Sequence, residues 1–196
     1  MTTDVVTVRP AREGEQDRVV GPIVLGFAAD PVLRWFFPDP HQYLEAFPQL
    51  VRAVAAPAFE HGSAYRDDSF NGGALWLPPG VEPDVASIVE LLQRSIDPSR
   101  LAQVFALFEA KGKYHPHEPH WYLHMLAVDP ALQARGLGSQ LLTDGLKRVD
   151  ADHLPAYLES TNPRNVSLYE RHGFEVLAAV EVEGSPAMRP MLRAAR

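Results

Sequence analysis

The chain has no cysteine, which removes disulfides, thiolate metal sites and a cysteinyl acyl-enzyme at the outset. It also lacks any apolar run near the roughly 20 residues a membrane helix needs, and no charged-then-apolar leader precedes MTTDVVTVRP. A cytoplasmic location is therefore expected, with no membrane partner. Basic residues are the scarcer sign: 18 Lys and Arg stand against 25 Asp and Glu, a net charge of −7. A sequence-independent nucleic-acid surface needs clustered cations, so no nucleic-acid partner is expected. Acidity of this size is compatible with a cationic substrate and equally with plain solubility. Repeats and low-complexity segments are absent too.

What is present suffices for one domain over 1–196: 46% of the residues are hydrophobic. Residues 4–9 (VVTVRP) read as a first strand. From Glu13 to Ala29, Val19, Val20, Ile23, Val24 and Phe27 recur at helical spacing, with Pro22 opening the last part or kinking it. Asp30-Pro31 marks a break before Arg34-Trp35-Phe36-Phe37. A second helix over 41–61 carries Leu44, Phe47, Leu50, Val51, Val54 and Phe59. SAYRDD and GGALWLPP form a hairpin. Residues 82–112 read as an inserted helix pair, with Asp97 or Ser99 capping the second. A strand over 121–128, a helix rich in leucine, a strand over 156–160, a helix over VSLYERH, and a closing strand pair (FEVLAAVEVE and AMRPMLR) complete the chain. The order β-α-α-β-β-(αα)-β-α-β-α-β-β gives an α/β fold of the mixed α+β kind, with helices on both faces. Strands 121–128 and 156–160 flank a crossover helix and should be parallel.

The densest chemical signal is DPALQARGLGSQLL after the strand WYLHMLAV. A strand entering a glycine-punctuated loop that becomes a helix presents several backbone N–H groups at a helix N-terminus, where a phosphate can sit. Gly136 and Gly138 allow a tight turn and close approach of a ligand. Arg135 adds a positive charge and Ser139 a hydroxyl donor. The competing reading is a turn and nothing more. A dinucleotide-binding Rossmann loop does not fit, because Leu141 stands where G-x-G-x-x-G has its third glycine.

Gln133-Ala134-Arg135-Gly136-Leu137-Gly138 after a valine-ended strand, with Asn162 and Tyr169 ahead of Gly173-Phe174, resembles the GNAT superfamily of acetyl-CoA-dependent N-acetyltransferases. The likeness is strong over 119–193, and 3–77 fit in outline. PHWYL…LAV and LES…PRN…YERHGF look most like the puromycin N-acetyltransferase-like group. The resemblance implies a GNAT-like central sheet of six to seven strands, with strands 121–128 and 156–160 splaying at their C-terminal ends. It implies acetyl-CoA as co-substrate, with Leu126, Ala127 and Val128 pairing with the pantetheine amides and Gln133 to Ser139 holding the pyrophosphate. Asn162 would touch the cofactor arm, or Asn165 in its place; Asn162 before Pro163 is also an N-cap signal. Tyr169 would be the general acid near the cofactor sulfur, the alternative being a ring packed under the sheet.

The resemblance leaves the base open, since Tyr122 stands where relatives often carry glutamate. His120, Tyr122 and His124 share one strand face, so His124, with an ordinary pKa near 6.5, is a candidate base or else a core histidine. Glu159 is a second candidate, or else a structural carboxylate. The resemblance puts Trp35, Phe36 and Phe37 beside the acceptor, where they would hold an apolar or aromatic amine, and Tyr122 is expected as a further acceptor contact; ordinary core packing is the other reading of the aromatic cluster. His115, His117 and His120 are expected to be exposed loop residues rather than metal ligands, and no metal is assigned. The leading expectation is direct acetyl transfer to a primary amine of a small molecule, aromatic or antibiotic-like amines included. The alternatives are a non-catalytic acyl-CoA-binding regulatory module and an acetyltransferase for a protein N-terminus or lysine. A monomer or a homodimer fits equally, and the insertion at 82–112 could cover the acceptor or form a subunit contact.

Overall fold

Five helical segments open on Asp or Asn followed by Pro, and the computed structural model, which describes residues 7–196, shows why. Asp30 Oδ1 accepts from the N–H groups of Val32 and Leu33 at 3.0 and 3.1 Å, and Asp39, Asp97, Asp129 and Asn162 cap in the same manner. The side chain satisfies first-turn amides while proline fills a position whose N–H would be idle.

These caps start α2 (Pro31–Phe36), α3 (Pro40–Glu60), α5 (Pro98–Gly112) and two single 3₁₀ turns (Pro130–Leu132 and Pro163–Asn165). The other helices are α1 (Gln16–Phe27), α4 (Val85–Ser95), α6 (Leu137–Ala151) and α7 (Val166–Arg171). The strands are β1 (Val8–Pro10), β2 (Ala64–Asp67), β3 (Gly72–Leu77), β4 (Trp121–Val128), β5 (Ala156–Ser160), β6 (Glu175–Val176) and β7 (Arg189–Arg193). They form one seven-stranded sheet in the order β1-β2-β3-β4-β5-β7-β6. All neighbours are antiparallel except β4 and β5. One face packs on α1 to α5 and the other on α6 and α7, so helices cover both faces as the pattern implied.

Four local readings need correction. The Trp35-Phe36-Phe37 segment belongs largely to a short helix, α2, so three helices rather than two separate β1 from β2. Leu44 is exposed, because Tyr43 turns inward instead and donates its hydroxyl to the Val24 carbonyl at 2.6 Å. Pro22 sits inside the continuous helix α1 and so does not open a separate helical part. The first closing strand is two residues long, followed only by a bridge between Val180 and Met188. Of the first-strand reading, residues 4–6 lie outside the described residues.

Two irregularities in β4 place the site. Its parallel pairing with β5 covers Trp121–Leu123 against Ala156–Leu158 and then stops, so the two strands part from His124 and Glu159 onward. Its register with β3 also slips, Leu75 pairing Met125 and Trp76 pairing Leu123, which leaves His124 as an extra bulged residue. The bulge inverts the alternation. Tyr122 and Met125 then join the same core, whereas Leu123 and Leu126 join the opposite one.

Candidate active site

A groove of about 600 Å³ runs along the parted edge of β4. Leu126, Ala127 and Val128 form one wall, the bend from Gln133 to Ser139 forms the end, and Asn162, Asn165 and Tyr169 form the other wall. Gly136 has φ +91°, a conformation that favours glycine. Gly138 is different: a methyl there would stand 3.8 Å from the nearest protein atoms, so packing does not demand glycine. The space it leaves opens on the groove. Gln133 donates its amide to the Val128 carbonyl at 3.0 Å and so ties the bend to the strand edge. Ser139 Oγ lies 3.0 Å from His172 Nε2, and His172 Nδ1 lies 2.8 Å from the Leu168 carbonyl. Because a carbonyl only accepts, Nδ1 carries a proton toward Leu168. A groove with an unpaired strand edge on one side and clustered amides at its end fits an elongated ligand with amides and phosphates.

Tyr169 borders this groove with its ring buried, 6.1 Å from Phe174. Burial, reinforced by the charge of Asp30, raises its pKa and keeps the phenol protonated at neutral pH. Asp30 is the chief residue that the sequence reading passed over. It is 4% exposed, caps α2, and accepts the Thr161 hydroxyl at 2.6 Å, linking the start of α2 to the loop after β5. Burial raises its carboxyl pKa against the opposing effect of those bonds. The Asp-Pro pair was a visible cap signal; its tie to Thr161 was not.

On the other side of the parting lies a second cavity of about 470 Å³, to which α4 and α5 contribute Ile88, Leu92, Phe105, Phe108 and Lys111. The insertion thus covers this space. Phe27 borders both cavities. Most of the lining is apolar, but one end gathers His115, His120, Tyr122, His124, Lys111 and Glu159. Glu159 Oε1 accepts from Lys111 Nζ at 2.9 Å, and Oε2 accepts the Tyr122 hydroxyl. Burial acts to raise the Glu159 pKa, but the Lys111 charge and these two bonds overcome it and hold the carboxyl below its ordinary value. Burial pushes His124 down to about 4, with Lys111 acting in the same direction, so its ring is neutral at neutral pH. His124 Nδ1 and the Tyr157 hydroxyl are buried without a hydrogen-bond partner.

The remaining expected residues divide clearly. Gln133, Ala134, Gly136, Leu137, Gly138 and Ser139 all border the groove, whereas Arg135 turns away and reaches the Ala131 carbonyl at 3.3 Å. Arg164 and Arg171 border it instead. Of the three aromatics in 35–37, Phe36 lines the second cavity, Phe37 is wholly buried in the core, and the ring of Trp35 lies under Arg100 at 5.2 Å. His117 is exposed, but His115 and His120 turn inward, their Nε2 atoms 3.2 Å apart, because both rings pack against Tyr157. Among the described residues no cluster of three or more metal-ligating side chains is present, and no helix is long and apolar enough to cross a membrane.

A parted parallel strand pair beside an amide-lined bend defines an α/β protein with an elongated groove at its strand edge. Residues 100–174 match the family described as acetyltransferase (GNAT) family. A mycothiol acetyltransferase from Streptomyces avermitilis is 32% identical over 147 residues, covering 66% of this chain and 45% of the relative. The chain thus spans about half the length of the curated relatives it matches over this stretch. A solved Corynebacterium glutamicum structure, described as histone acetyltransferase HPA2 and related acetyltransferase, has a TM-score of 0.70 at 25% identity and covers 97% of both chains. Arylalkylamine N-acetyltransferase 2 from Aedes aegypti shares the fold, with a TM-score of 0.68 at 13% identity over 98% of this chain and 100% of its own. Residues 100–174 thus resemble the GNAT acetyltransferase family, and the whole chain shares the fold of these solved acetyltransferase structures.

Proposed function

We propose that the protein transfers an acetyl group from acetyl-CoA to the primary amine of a small molecule with an apolar body, by direct attack in a ternary complex. The observation that carries this reading is the parting of β4 and β5 at His124 and Glu159, with an amide-ended groove on one side and an apolar cavity on the other. Acetyl-CoA supplies the thioester. The N–H groups of the 133–139 bend bind its diphosphate, and the open edge of β4 aligns its amides. Neutral His124 takes the proton that the attacking amine gives up, directly or through water, and Tyr169 supplies the proton that the departing thiolate needs. For an amine that attacks in its neutral form, an N–C bond forms as the C–S bond breaks and the proton count balances; an amine that arrives as ammonium first releases one proton to solvent.

The curated relatives' name, mycothiol acetyltransferase, supports a small-molecule acceptor. Puromycin remains a candidate acceptor on the resemblance alone. Release of CoA thiol across a panel of puromycin, arylalkylamines, polyamines and a lysine peptide tests the reading. Turnover confined to apolar primary amines is expected; turnover of the peptide alone, or of nothing with CoA bound, would overturn it.

A further inference from the structure

The ion pair at the polar end of the second cavity joins a helix of the insertion to the parting strands. Lys111 lies in the last turn of α5, and its Nζ stands 2.9 Å from Glu159 Oε1, with the two side chains 19% and 7% exposed. Among the described residues this is the one ion pair that ties α4 or α5 to the rest of the protein. A buried carboxylate is stable only while a cation and hydrogen bonds compensate it. Tyr122 holds Oε2 and Lys111 holds Oε1, so the Oε1 side is where the cation already stands and where a cation arriving through the cavity competes with it.

That position is held by a primary alkylammonium on a four-carbon stem, its Nζ 5.7 Å from the centre of the Phe108 ring. We infer that Lys111 keeps the place of the acceptor's ammonium group, and that an entering primary amine exchanges with it at Glu159. The inference deepens the proposed function and rests on it for the identity of the cavity. Exchange of one cation for another leaves the buried charge balanced, and Lys111, partly exposed on a flexible stem, can swing its charge to water. A neutral guest of the same shape cannot take the place of Lys111 at Glu159, because it brings no charge to exchange, and it gains nothing from that position. The pair therefore selects a primary ammonium on an apolar body and rejects the matching alcohol.

Calorimetry without acetyl-CoA tests this, using 2-phenylethylamine and 2-phenylethanol as probes. Lys111→Met vacates the Oε1 position and should bind the amine at least about tenfold more tightly than the native protein. Lys111→Arg, whose planar fork holds a carboxylate in two bonds, should bind it at least about threefold more weakly. The alcohol should not distinguish the three proteins. Unchanged amine affinity in both variants, or in Lys111→Arg alone if Lys111→Met does not fold, overturns the exchange. Native turnover of amines with no such affinity change would sink this inference and leave acetyl transfer standing. The affinity changes without thiol release would do the reverse.

Discussion

His124 and Glu159 are the first residues past the last β4–β5 pair, and burial has opposite consequences for them. Burial costs His124 its proton, so the folded ring stays neutral down to about pH 4 while an unfolded histidine protonates near 6.5. Between those values the unfolded chain binds the extra proton, so this contribution to stability is complete above 6.5 and lost as pH falls toward 4. His115, whose pKa burial also lowers, acts in the same direction. Melting temperatures measured across that window should therefore fall less steeply for His124→Gln than for the native protein; identical slopes would contradict the assignment. Tyr169 calls for a kinetic test. Tyr169→Phe keeps the ring against Phe174 and removes only the hydroxyl, so kcat should fall by about 10²-fold or more while CoA affinity stays within about threefold. An unchanged kcat would end its role as the acid.

The helix α6 carries two glycines with unlike duties, and substitution separates them. A methyl at Gly145 would stand 2.1 Å from Trp76 Nε1 in a fully buried contact between α6 and β3. Gly145→Ala should cost about 1–3 kcal/mol in denaturant unfolding, since the indole must shift. Gly138→Ala meets no protein atom closer than 3.8 Å, so stability should hold while CoA affinity falls by about tenfold as the methyl enters the groove. Equal CoA affinity in Gly138→Ala would show that the bend is only a turn. The same contrast marks what was legible in the sequence. The 133–139 bend could be read because strand, loop and helix follow one another along the chain, and their spacing carries the chemistry. The duty of Gly145 could not, since Trp76 lies far away in sequence. Nor could the bulge at His124, because WYLHMLAV is apolar almost throughout and only the register with β3 reveals the slip.

Across the molecule, the groove draws mainly on a nearly continuous stretch from β4 to α7, joined by the end of α1, and the family match over 100–174 falls on that stretch. The second cavity is assembled from side chains as far apart as Phe27 and Met188. A cavity built from scattered segments leaves no local motif, which explains why the sequence pointed to Trp35 and Phe37 and passed over Lys111. The division also predicts separate footprints in hydrogen exchange. CoA should slow exchange in 126–139 and 162–171, whereas an apolar amine should slow it in α4 and α5; overlapping footprints would mean that the two spaces are not separate sites. The most direct measurement of the whole account is a crystal structure with acetyl-CoA bound. The account predicts the diphosphate at the 133–139 amides, the pantetheine arm between β4 and β5, and the sulfur within about 3.5 Å of the Tyr169 hydroxyl. A cofactor lying outside the parted strands, or a sulfur facing away from Tyr169, would contradict it.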